Sequence, residues 1–182
     1  MDDITATGVS LGGLTVGLII VAVHISSWYF SLNPKLSAIQ GVKSDWKGLL
    51  FPFLPLMLFG SLIILSAGGY IADIAGVALW GSNEAGGLAL ERGMGGTNPD
   101  VTRTNNIALD DGGRMVVLII LAILIVYYVK RIRGTRILNQ LTYFLPIVCG
   151  IALGLSDGYA GWFSEALAPA VDSMGGAASG VW

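Results

Sequence analysis

Two stretches of this chain have spacings that chemistry can use. Gly154-Leu155-Ser156-Asp157-Gly158 fits the Gly-x-Ser-x-Gly pattern of serine hydrolases, and His24 is the one histidine that could act as base for it. That mechanism needs the serine on a strained strand-to-helix turn. Here Ser156 closes an apolar run, and helix packing accounts for its flanking glycines. Gly93-Met94-Gly95-Gly96-Thr97 resembles a phosphate loop, but it lacks the Lys-Ser/Thr ending and a buried strand before it. His24 and Asp73 are the ionisable residues within or beside apolar runs, where such groups either serve function or mark helix packing and the exit from lipid. Cys149 is the only cysteine, which excludes an intramolecular disulfide and a Cys-based metal cluster and suits a small packing residue. No metal-ligand spacing, haem pair or dinucleotide fingerprint occurs. The expectation is a non-enzyme with no catalytic, cofactor or metal residues.

The elements that would carry these residues are apolar. The chain has 182 residues, of which 54% are hydrophobic and 12% charged, with a mean hydropathy of +0.72. Soluble domains carry about 25% charged residues. Half that value predicts a multi-pass membrane protein of one domain, in a plasma or inner membrane. A net charge of −2 implies no nucleic-acid partner. The opening Met1-Asp2-Asp3 is acidic, unlike the basic start of a secretory signal, so the first apolar segment is expected to stay as an anchor.

The most decisive stretch is Met115 to Val129, with no charge, Gly or Pro, bracketed by Arg114 and by Lys130, Arg131 and Arg133. No soluble amphipathic helix is apolar all round. Fifteen residues make roughly 22 Å of helix, short of a hydrocarbon core near 30 Å, and the flanking bases can snorkel to both surfaces. Three further spans are predicted, at 9–30, 49–72 and 137–156. In 49–72, Pro52 and Pro55 fall in the first turns, and Gly68-Gly69 is positioned to loosen the far end.

Glycines four residues apart smooth a helix face for close approach. Gly8 with Gly12 and Gly13 with Gly17 give the first span such a face; Gly150, Gly154 and Gly158 give one to the last span, its natural partner in the same subunit or a neighbour. Leu32 to Lys47 reads as a short interfacial helix starting at Asn33-Pro34, with Leu36, Ile39, Val42 and Trp46 near one face. Residues 76–113 read as a Gly-rich loop with one or two helical turns, and 157–182 as an amphipathic tail. In that tail Tyr159, Trp162, Phe163, Ala166, Leu167, Ala170, Val171 and Met174 share a face, opposite Glu165 and Asp172. Trp28, Trp46 and Trp162 join Arg114, Lys130, Arg131 and Arg133 as interface anchors.

Charge alternates along the chain. The N-terminal stub carries −2, the first connector +2, the stretch from Asp73 to Arg114 −3, the connector Lys130–Arg136 +4 and the tail −3. Lys and Arg in short loops mark the cytoplasmic side. Four helices follow, with both short connectors inside and both termini and the long loop outside. His24 then lies near the inner end of its span and Ser156 at the outer end, too far apart for a catalytic pair.

The sequence therefore predicts an all-α, polytopic integral membrane protein with four transmembrane helices, short interfacial helices and a C-terminal amphipathic helix. Its expected partners are the lipid bilayer and either further copies or other membrane-complex subunits. The expected role is structural or accessory, through the glycine faces and with a conduit among its possible products. The alternative is a self-sufficient, holin-like pore. Replacing Gly150 and Gly154 by Leu is expected to disrupt assembly and spare insertion, read from the size of the complex in detergent.

Overall fold

The computed structural model describes residues 8–32, 46–66, 69–102, 108–132, 137–158 and 161–179. Six α-helices account for most of them: α1 (Leu11–Leu32), α2 (Trp46–Leu65), α3 (Gly69–Leu88), α4 (Asp111–Ile132), α5 (Ile137–Gly154) and α6 (Trp162–Ser179). A π-turn, Ala89–Gly93, prolongs α3. Among the described residues the only β-pairing is two isolated bridges, Ser10 with Asp100 and Thr102 with Ser156.

Helices α1, α4 and α5 fall close to the apolar runs at 9–30, 115–129 and 137–156. The run at 49–72 is different, because it is not one rod. The Ser66 hydroxyl donates to Ile63 O at 2.6 Å and ends α2. The chain restarts at Gly69 with φ +79, a conformation open to glycine. The axis turns by 111° between Phe53–Leu65 and Gly69–Gly93. Because α2 begins at Trp46, Pro52 and Pro55 sit in its second and third turns rather than its first. The expected loop at 76–113 is also corrected, since 69–93 and 111–113 are helical and, of the described residues between them, 95–102 and 108–110 are irregular. Ala75, Gly76, Leu79, Ser82, Gly86 and Gly87 form the buried stripe of α3. Alanine, glycine and serine in that stripe hide its period from a hydrophobicity reading.

Among the described residues no single helix is long and apolar enough to cross a membrane; the bent pair α2–α3 reaches that length and apolarity only together. The starts of α1 and α4 and the ends of α2 and α5 gather at one end of the bundle. There Val9, Leu65, Leu79, Leu109, Val117 and Ala152 share one core. The other ends of these helices, at Leu32, Trp46, Ile132 and Ile137, point away from it. Of the interfacial helix expected over Leu32 to Lys47, Leu32 ends α1 and Trp46 and Lys47 open α2, while 33–45 lies outside the described residues.

Three helix crossings bring backbone against backbone, and each depends on glycine. In α2–α5, a Cβ at Gly150 would overlap the Met57 carbonyl, and one at Gly154 would come within 3.0 Å of Ser61 Cα. Ser61 Oγ donates across this seam to Gly150 O at 2.8 Å. In α1–α3 Gly12 lies on Gly86 and Gly87, and in α4–α6 Gly112 lies on Gly175. The expected glycine pairing is thus revised. The Gly150/Gly154 face meets α2, and of the glycines of α1 it is Gly17 that touches α5, at Ala152 and Leu153. Gly8 precedes α1 and lies against the Thr102 side chain, while Gly13 faces Asn83. Gly158 is not a packing glycine at all: it turns the chain beyond α5 with φ +68 and open space around it.

The face expected of the tail is rotated as well. Buried Ser164, Ala168, Val171 and Gly175 point inward from α6, while Trp162, Ala166, Ala170 and Met174 face out. Gly112 demands glycine opposite it, so the close crossing at Gly175 overrides the larger side chains in choosing the face.

Since the glycine seam is internal to the chain, Gly150→Ala is expected to cost about 1–3 kcal/mol of stability through overpacking. Gly81→Ala, in open space on α3, is expected to be neutral or to stabilise by up to about 1 kcal/mol. Thermal unfolding of the two variants in one detergent checks the contrast.

Candidate functional site: a polar cap above an apolar groove

The first N–H groups of a helix have no partner within it. In α1 they are all met. Leu11 N–H donates to Pro99 O at 2.8 Å, Gly12 N–H to Asn98 Oδ1 at 2.7 Å, and Gly13 N–H to Ser10 Oγ at 3.2 Å. The Asn83 amide of α3 clamps the lead-in, donating to Gly8 O at 2.9 Å and accepting from Ser10 N–H at 3.0 Å.

Segment 99–102 is threaded between two other segments. Val101 N–H donates to Val9 O at 2.9 Å, and Asp157 N–H donates to Val101 O at 3.2 Å. Thr102 Oγ1 accepts from Val9 N–H at 2.8 Å and donates to the Asp100 carboxylate. That hydroxyl, helped by the Thr102 N–H at 2.8 Å, holds the Asp100 pKa below its ordinary value. The cap therefore ties together the start of α1, the turn after α3 and the exit of α5.

A second acidic site joins α4 to α6. Asp110 caps α4 by accepting from Gly113 N–H at 2.6 Å, and Asp110 N–H donates to Asp172 Oδ1 at 3.1 Å. Burial raises the Asp172 pKa, the neighbouring Asp110 carboxyl raises it further, and the Asp110 N–H opposes them. Asp172 was expected on the solvent side of the tail, and the structure places it against α4.

At the far side of the bundle from the cap, an apolar groove of about 500 Å³ lies between α1, α2 and α5. His24 and Ser27 are the polar groups in its wall. The His24 ring stacks on Phe53 with centroids 3.9 Å apart and planes 15° apart. Cys149 is fully buried beside Phe53 and Leu153, its thiol 3.4 Å from Gly17 O.

The hydrolase pattern does not assemble. Ser156 is buried and donates to Leu153 O at 2.7 Å at the end of a helix, not on a strand-to-helix turn. Gly17 touches Ala152, and His24 lies two turns further along α1 while Ser156 lies a turn the other way. The two are on the order of 15 Å apart. Among the described residues no three His, Cys, Asp or Glu side chains converge on a point.

Of the remaining sequence-derived residues, Asp73 is exposed on α3 and Trp162 is exposed at the first residue of α6. Arg114 forms an ion pair with Asp111 at 3.1 Å in the first turn of α4. The side chains of Trp28, Trp46, Lys130 and Arg131, and all of Arg133, lie outside the described residues. Sequence reasoning missed Asn83, Asn98 and Thr102. Asn98-Pro99 carried a turn signal, but nothing local shows that its amide caps a helix 86 residues away. No family model, curated protein or solved structure matches this chain.

Asn98→Ala leaves the Gly12 N–H without its acceptor and is expected to cost about 1–2 kcal/mol, as a lost cap does, measurable by thermal unfolding. A carboxyl with a raised pKa binds its proton more tightly in the folded chain, so it weakens folding as pH rises through the carboxylate range. Asp172→Asn keeps the acceptor oxygen and removes the charge. It is expected to raise the unfolding temperature at pH 7, with the gain vanishing at a pH low enough to protonate Asp172 in the parent. The depressed Asp100 runs oppositely, and its contribution is present above the carboxylate range and lost on acidification.

Proposed function

We propose that this chain is a non-catalytic structural or accessory subunit of an oligomeric membrane complex. The observation that carries this reading is α4. From Leu118 to Tyr127 no described side chain is buried, and Leu118, Ile119, Ile123, Ile125 and Tyr127 are each more than half exposed. The run has no charge on any side. Of its described residues only Ile120, Leu121 and Leu124 lean on the core, and a helix that is apolar all round with the rest of its girth uncovered needs lipid or other helices about it. Leu18, Ile19, Val23 and Ile25 make α1 similarly apolar outward.

The gathering of the α1 start, the 98–102 turn and the α5 exit in one polar cap supports the outward placement of all three. The basic connectors join the opposite helix ends, which suits the cytoplasmic side. Because the glycine faces are consumed within the chain, assembly would use the uncovered flank of α4. Replacement of Gly150 or Gly154 then acts on the fold itself rather than on assembly.

Native mass measurement of the chain in lipid nanodiscs is expected to show a fixed assembly above the monomer, or constant co-purifying partners, and liposomes holding the chain alone are expected to show no ion flux. A chain that stays monomeric without partners overturns the subunit reading, and steady flux replaces it with a self-sufficient pore. Tags at Met1 and within 130–136 are expected to be reached from opposite sides of the membrane.

A further inference from the structure

Helix α3 is apolar on two opposite faces, and only one of them is buried. Ala75, Leu79 and Gly86 point into the bundle. On the other side Tyr70 is 89% exposed, Ile74 70%, and Val77 and Leu88 nearly half. These four, with Gly81 and Ala85, form one outward strip at 3.6 residues per turn.

The two flanks of the strip differ. Asp73 and Glu84 stand eleven residues apart, three turns, on one flank, and both are exposed. Continuing round that side come Trp80, then Gly87 and Asn83, which meet the polar cap through Asn98 and the Gly8–Ser10 lead-in. The opposite flank holds Ile71 and Ala78, which pack on the apolar core. Charge on α3 thus lies on the flank toward the cap and apolar surface on the flank toward the core. The 111° turn sets α3 within about 20° of perpendicular to α2.

We infer that α3 lies along the water–lipid boundary on the cap side, with Tyr70, Ile74, Val77 and Leu88 set into the upper acyl region and Asp73 and Glu84 in water. This rests on the membrane reading proposed above. The occupant of the strip is lipid, as the charge placement argues. A second copy in the same membrane orientation, related by an axis along the membrane normal, would bring the acidic flank of one α3 against the acidic flank of the other. Lipid meets no such repulsion, because the strip itself is uncharged. Gly69–Leu88 carries no Lys or Arg, so the attachment needs apolar area and not anionic headgroups. Tyr70 and Trp80 are the residue types that favour this boundary.

The test uses the full chain in vesicles of phosphatidylcholine alone, with a nitroxide on Ile74→Cys, Val77→Cys, Glu84→Cys or, on α1, Val23→Cys. Cys149 is fully buried, and its continued resistance to thiol reagent reports that each variant is folded. Collision rates with oxygen, which partitions into lipid, and with a water-soluble nickel chelate are compared. Oxygen is expected to exceed nickel several-fold at positions 74 and 77, at a shallower depth than at 23, with the order reversed at 84. Nickel access at 74 and 77 equal to that at 84 overturns the inference, and so does shielding from both reagents, which would mean a protein or a second copy covers the strip. If position 23 also reports water, the membrane reading falls with it; if only 74 and 77 fail, that reading stands.

Discussion

At Gly150 there is room for a hydrogen atom and for nothing larger. The backbone of α5 lies on that of α2 there, and the same condition recurs where α1 crosses α3 and where α4 crosses α6. On the membrane reading proposed above, burying more hydrocarbon between helices yields little, because lipid tails are as apolar as leucine. Close approach instead multiplies dispersion contacts and lets Ser61 reach the Gly150 carbonyl across the seam. The three crossings pair the six helices two by two. The cap and the core around Leu65, Leu79 and Leu109 then join the pairs.

The cap addresses a second constraint. Helix ends carry unpaired donors and acceptors, and an apolar bundle has few side chains to meet them. This chain uses Asn83, Asn98 and Thr102, all from segments distant in sequence, and the local Ser10. Leu109 N–H does the same for α2, donating to Leu65 O at 3.0 Å where that helix stops. The cap is thereby kept at one end, apart from the apolar groove that holds His24 and Ser27.

How much of this could be read in advance depended on the kind of signal. Runs such as 115–129 fix a helix through hydrophobicity alone, and α1, α4 and α5 were legible to within a few residues at each end. Helix α3 was not, because its buried stripe is, apart from Leu79, made of Ala, Gly and Ser, which carry little hydrophobic period. Glycine spacing showed that close crossings exist but not which helices meet, since a smooth face fits any partner. That is why Gly150 and Gly154 were matched with α1 when they lie on α2. For the same reason Gly158, in register with them, turned out to be a turn residue. The cap was illegible because its bonds span the chain, and a lone Asn98 or Thr102 looks the same whether it faces water or a helix end.

Those long spans bear on how the protein is made. The Thr102 hydroxyl that accepts from Val9 lies 93 residues downstream, so at ribosomal speeds of about 5–20 residues per second the first helix waits roughly 5–20 s for its cap. The rung from Asp157 to Val101 closes later still. Until Asn98 and Pro99 emerge, the Leu11 and Gly12 amides have no acceptor within the nascent chain, and solvent or an escort must meet them.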